Sequence, residues 1–166
     1  HDLPNFSVRI TPTLEDAVAI ANSGADFVAV DGTDRPRPQG KNTFEFIHQV
    51  IAATGKPVLA DISTFEEGIA AVDAGACAVL TTLSGYTPYS KHQSEPDLDL
   101  VTRLAETLPV PVIAEGRYNT PEQAARALAC GAWAVTVGSA ITRPRFLTET
   151  FVRALQRSDT SRGKIL

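Results

Sequence analysis

The sequence has little of what would commit a chain to a membrane, to nucleic acid or to an oxidising compartment. Only two of its 166 residues are cysteine. Cys77 and Cys130 show neither metal-ligand spacing nor a disulfide framework, so a reducing cytoplasm is the expected setting. No apolar run approaches the roughly 18 residues of a membrane span. The opening stretch HDLPNFSVRI also lacks the basic start and apolar core of a signal peptide. A basic stripe is missing as well: fifteen Lys and Arg against nineteen Asp and Glu give a net charge of -4, spread along the chain. With no RNP-like aromatic box either, neither nucleic acid nor a membrane is expected as a partner.

What is present is an ordinary globular balance, 43% hydrophobic and 20% charged, enough for one substantial core in a single domain. Apolar, β-branched runs fall at DFVAVD (26–31), PVLADI (57–62), CAVLTTL (77–83), PVIAE (111–115) and WAVTVG (133–138). Each follows a segment of helical period, which predicts β/α alternation around a parallel sheet. Thr64 with Glu67, and Thr120 with Gln123, fit capping boxes, and Pro121 suits a first helical position. Over residues 97–108, Leu98, Val101, Leu104, Ala105 and Leu108 fall on one helical face.

A repeat runs through the alternation. GADFVAV begins at Gly24, GACAVLT at Gly75 and GAWAVTV at Gly131, while PVLAD at Pro57 returns as PVIAE at Pro111. The period, about fifty residues, is two strand-helix units and suits a (β/α)8 TIM barrel. A five-stranded flavodoxin-like sheet competes with it. Two features favour the barrel: residues 13–23 form a loop and helix without a preceding strand, and every strand ends in polar residues. Because a barrel takes about 250 residues and at least about 200, the expectation is a barrel lacking its N-terminal strands. Residues 1–157 would form its C-terminal two-thirds and 158–166 a tail.

Barrel chemistry gathers at the C-terminal ends of the strands. The apolar run 109–114 stops on Glu115, and Asp61 holds the equivalent place in the repeat, so both carboxylates are candidate acid–base groups at the barrel mouth. Asp31 could join them or pair with Arg35 or Arg37. The loops EGRYNTP and VGSAITRP supply Gly116, Gly138 and Ser139 for close backbone approach to an anion, with Arg117 and Arg143 adding charge. A metal on Asp31, Asp61 and Glu115 is not expected, since no histidine accompanies them. His48 and His92 read as surface residues, and Ser84 has no histidine partner.

The strings ADIST (60–64), TTLSGYTPYS (81–90), EPDLDLV (95–101), VIAEGRYNTPEQA (112–124) and AVTVGSAITRP (134–144) resemble the N-acylglucosamine-6-phosphate 2-epimerases, also called N-acetylmannosamine-6-phosphate 2-epimerases. The resemblance runs to about Leu155. It implies a cytoplasmic isomerase of sialic-acid catabolism that interconverts N-acetylmannosamine 6-phosphate and N-acetylglucosamine 6-phosphate without a cofactor. It makes Glu115 and Asp61 active-site acids and Gly138, Ser139 and Arg143 phosphate contacts. The family also uses a lysine before an Arg-Asp or similar pair; His1-Asp2 is similar to that pair, which would put the lysine upstream of His1. A small-molecule sugar phosphate is the expected partner, with a homodimer as the expected assembly. Two rivals remain open: a flavin oxidoreductase on the same barrel, and a sugar-phosphate-binding domain without catalysis.

Overall fold

In the computed structural model, which describes residues 8–159, the five apolar runs become five parallel strands. These are β1 (Val28–Asp31), β2 (Val58–Asp61), β3 (Ala78–Leu80), β4 (Val112–Glu115) and β5 (Ala134–Thr136). Helices α1 (Leu14–Asn22), α2 (Thr43–Thr54), α3 (Phe65–Asp73), α4 (Leu98–Thr107), α5 (Pro121–Ala129), α6 (Ser139–Thr142) and α7 (Pro144–Asp159) alternate with and follow them. The strands are shorter than the runs that predict them, but the ladder continues past their ends. Cys77 N–H donates to Val58 O at 2.9 Å, and Thr81 N–H to Ile113 O at 3.2 Å. Of the expected tail, 158 and 159 continue α7, whereas 160–166, like His1 and Asp2, lie outside the described residues.

Strand order separates the two folds left open by the sequence. The sheet runs β1-β2-β3-β4-β5, each strand beside its successor, whereas a flavodoxin-like sheet reverses direction at a switch point. Consecutive helices from α1 through α5 also touch one another, which places them along one face of the sheet. Sequential parallel strands with helices on one side make an arc of a (β/α)8 barrel.

Side-chain alternation then assigns the two faces. Val28, Val30, Val58, Ala60, Val79 and Val112 turn toward the helices and join Ala17, Phe46, Ile47, Val50 and Leu104 in the main core. Each fully buried aliphatic chain of this kind contributes roughly 1.5–3 kcal/mol relative to exposure. A second cluster, Val101, Ala114, Tyr118, Ala127 and Ala132, seals α4 and α5 onto β4 and β5. By the same alternation Asp31, Asp61, Leu80, Glu115 and Thr136 fall on the inner face.

Helix starts are fixed by side chains. Both expected capping boxes form, and Thr13 with Asp16 and Asn42 with Glu45 form two more. Each cap contributes typically about 1 kcal/mol. The segment before α1 lacks an assigned strand but follows β1 closely: Asp31 N–H donates to Ile10 O at 3.0 Å and Thr11 Oγ1 to Ala29 O at 2.6 Å. Among the described residues, no helix is long and apolar enough to cross a membrane.

Candidate active site

At the C-terminal ends of β3, β4 and β5 lies a cleft of about 330 Å³, lined among others by Thr82, Glu115, Gly116, Thr136, Gly138 and Ser139. Pairing register explains why these residues meet. Glu115 lies opposite Thr136, and Asp61 opposite Leu80, whose next inward neighbour is Thr82. Thr81 fixes the height of Glu115: its hydroxyl accepts the Glu115 N–H and donates to Glu115 O, both at 3.0 Å. Gly116, at φ 104°, supplies the left-handed turn that takes the chain away from the strand end. A Cβ there would stand 3.4 Å from Thr82 O.

Burial tunes both expected acids. Asp61 is 4% exposed and accepts a hydrogen bond from Thr82 Oγ1. Desolvation pushes its carboxyl up to about 7; the Thr82 bond opposes that rise, while the negative charges of Glu115 and Asp31 add to it. Glu115 is half-buried and also raised by desolvation, a rise that the neighbouring hydroxyls of Thr136 and Thr82 oppose. These two carboxyls therefore hold or release a proton nearer neutrality than free ones.

Five of the seven expected site residues, Glu115, Gly116, Arg117, Gly138 and Ser139, line the cleft. Asp61 sits behind Thr82 rather than on the wall. Arg143, at the C-terminus of α6, is exposed and outside the lining. Arg117 lines the cleft, yet its Nε donates to Glu95 O at 2.8 Å and its Nη1 to Ser84 O at 2.6 Å, while its guanidinium stacks 5.1 Å from the Tyr86 ring centroid. In this geometry it pins the long loop between β3 and α4 over the cleft. Asp31 takes the second of its expected roles. It is fully buried, receives Arg35 Nη2 at 2.5 Å, and lies 3.9 Å from an Arg37 nitrogen. Among the described residues, no group of three or more His, Cys, Asp or Glu is arranged to hold a metal.

Sequence reasoning placed Thr82 among the polar strand ends without giving it a role, and missed Thr136. Thr82 was legible by period: it stands two residues beyond Leu80 on the inner side of the same run. His48 and His92 are exposed, as expected, and Ser84 Oγ donates to Asp97 Oδ2 at 2.6 Å.

Comparison with known proteins agrees with this geometry. A family model, NanE, described as "Putative N-acetylmannosamine-6-phosphate epimerase", matches residues 1–157. A relative from Caldanaerobacter subterraneus, named "Putative N-acetylmannosamine-6-phosphate 2-epimerase", is 50% identical over 148 residues, 89% of this chain and 62% of its own length. One of the same name from Proteus mirabilis is 50% identical over 157 residues, covering 94% of this chain and 65% of its own. The chain thus spans somewhat under two thirds of these relatives. The solved N-acetylmannosamine-6-phosphate 2-epimerase of Clostridium perfringens superposes with a TM-score of 0.85 at 42% identity, over 93% of this chain and 67% of its own. FabK from Thermotoga maritima, with a TM-score of 0.56 at 20% identity over 76% of this chain and 37% of its own, shares the fold alone.

Proposed function

The chain belongs to the NanE family of N-acetylmannosamine-6-phosphate epimerases, and from that premise we propose that the protein interconverts N-acetylmannosamine 6-phosphate and N-acetylglucosamine 6-phosphate by proton transfer at C2. The observation that supports this most directly is the pair of raised carboxyls, Asp61 and Glu115, at a cleft that Gly116, Gly138 and Ser139 also line. Epimerisation removes the proton beside the C1 carbonyl of the open-chain sugar and returns it on the other face. A group that does this at neutral pH needs a pKa near the working pH.

In this proposal Glu115, on the cleft wall, serves the C1–C2 end of the sugar. Asp61 behind it sets the charge and proton content of the site. The phosphate lies against Gly116, Gly138 and Ser139, where the chain can approach closely, and Arg143 folds in over it from solvent. Arg117 acts through the loop it holds. Sialic-acid breakdown in the cytoplasm belongs to the same proposal, because a phosphorylated sugar carries a charge that is costly to move through hydrocarbon. A homodimer also belongs to it.

The test uses the full-length protein with N-acetylmannosamine 6-phosphate in deuterated water, followed by proton NMR. Loss of the C2 proton signal should accompany the appearance of N-acetylglucosamine 6-phosphate. Substrate that binds without C2 exchange or epimer formation would favour the non-catalytic reading.

A further inference from the structure

The loop between β3 and α4 is held on two sides. Arg117 grips it from the β4 side, through Ser84 O and Glu95 O. From the β2 side a line of hydroxyls reaches it. Thr87 Oγ1 lies 2.7 Å from Ser63 Oγ and 3.0 Å from Ser90 Oγ, and Ser90 Oγ accepts the Gly85 N–H at 2.8 Å. At the inner end of the line stands Glu67 of α3, buried like Ser63 and Thr87. Its Oε2 accepts from Ser63 Oγ and Ser63 N–H, both at 2.7 Å, and from Thr64 N–H at 3.0 Å, while its Oε1 accepts the Asp34 N–H at 3.0 Å. One carboxyl group thus joins the loops that follow β1 and β2, and the hydroxyls extend the joint to the loop that follows β3.

Donor counting gives the line a direction, because each hydroxyl has a single proton to give. Ser63 gives its proton to Glu67, so toward Thr87 it accepts and Thr87 is the donor. Thr87 has then spent its own proton, and Ser90 donates to it. The Thr87 oxygen also accepts the Tyr89 N–H at 3.3 Å. Running from Ser90 through Thr87 and Ser63 to Glu67, the bonds align head to tail, an arrangement in which each strengthens the next. Tyr86, between Gly85 and Thr87, lines the cleft beneath the Arg117 guanidinium. It is 58% exposed, so its own packing does not fix it. Its two neighbours are the residues that the line secures.

We infer that Thr87 is a positioning residue: through Ser63 and Ser90 it fixes residues 85–90, and Tyr86 with them, as a wall of the cleft that stands in place before the sugar phosphate arrives. The inference deepens the epimerase proposal and rests on it for the identity of the ligand. A preformed wall spares the ligand the ordering of the loop, so losing it weakens binding more than it slows proton transfer at C2.

The test compares Thr87→Val, which keeps the shape and removes the hydroxyl, with Thr87→Ser, which keeps the hydroxyl, in the full-length protein. Amide hydrogen exchange without ligand reads the hold on the loop. In Thr87→Val residues 85–90 should exchange about fivefold faster or more while the strands keep their protection, because Ser63 and Ser90 each lose a buried partner; Thr87→Ser should restore the wild-type rate. Calorimetry with N-acetylglucosamine 6-phosphate and turnover read the consequence. Kd and KM should each rise about fivefold or more in Thr87→Val while kcat changes by less than about twofold, again with recovery in Thr87→Ser. Unchanged exchange in folded Thr87→Val would overturn the inference, as would faster exchange with unchanged Kd and KM, or a Thr87→Ser variant as impaired as Thr87→Val. If Thr87→Val fails to fold, Ser90→Ala, at the half-buried outer end of the line, is read by the same exchange and binding criteria. A wild-type protein that binds the sugar phosphate and loosens on substitution as described, yet never epimerises, would sink the proposed function and leave the positioning role supported.

Discussion

Asp61 takes up its proton far more readily in the fold than in an unfolded chain, with a pKa of about 7 against an ordinary value of about 3.9. The sign follows directly. Stability linked to its neutral form is fully present below about pH 4 and is lost as pH rises through about 7. Asp61→Asn is neutral at every pH and similar in shape. It should therefore melt close to wild type near pH 4 and several degrees higher near pH 8, as read by circular dichroism. A gap that stays constant with pH would show that Asp61 is already ionised in the fold at neutrality. Glu115 is tested by rate instead. Glu115→Gln should lower kcat by on the order of 10²-fold with the melting transition retained, and a near-normal rate would reduce Glu115 to a structural strand end.

The repeat visible in the sequence has its cause in the elements. Gly24, Gly75 and Gly131 follow α1, α3 and α5 and adopt φ of 92°, 99° and 95°, in the left-handed region. Each donates its N–H back to the helix, to Ala21, Val72 and Leu128 respectively, before the chain enters the next strand. The same turn is required each time, so the same residue recurs. Their surroundings differ, however. A Cβ on Gly24 would meet nothing within 4 Å, whereas one on Gly131 would lie 2.9 Å from the Ala105 Cβ of α4. Gly24→Ala should cost about 1 kcal/mol from the backbone alone. Gly131→Ala should cost a further 1–3 kcal/mol or so, because α4 and α5 must move apart. Urea midpoints at unchanged slope would measure the difference; equal losses would mean that the α4–α5 junction yields freely.

For the whole molecule, the sequential strand order brings β2, β3, β4 and β5 to one mouth, so a bound sugar phosphate would touch loops from distant parts of the chain. Such a ligand stabilises the folded state by mass action, by about 2.7 kcal/mol at a hundred times its Kd. For a protein of this size class each kcal/mol shifts Tm by about 2–4 °C. N-acetylglucosamine 6-phosphate should therefore raise the Tm of the full-length protein by several degrees. Arg143→Ala should diminish that rise while leaving the small effect of the unphosphorylated sugar unchanged. Equal losses with both ligands would remove Arg143 from the phosphate.

The sequence by itself determined the alternation, the helix starts at Thr64 and Thr120, the glycine turns and the polar strand ends at Asp61 and Glu115. All of these depend on local backbone conformation or on a period of two or 3.6 residues, and neighbours along the chain suffice to set them. Tertiary structure alone decided how the charged groups are used. Arg117 has the composition of an anion ligand, but the folded β3–α4 loop presents two carbonyls to it. Asp31 could have joined the acids, but Arg35 and Arg37 reach it within the same buried turn. The proton affinity of Asp61 follows from its burial at a strand end, opposed by the Thr82 hydroxyl and raised by its acidic neighbours. Desolvation and hydrogen-bond partnership depend on which segments meet in space, and that pairing is settled only when the strands align in register.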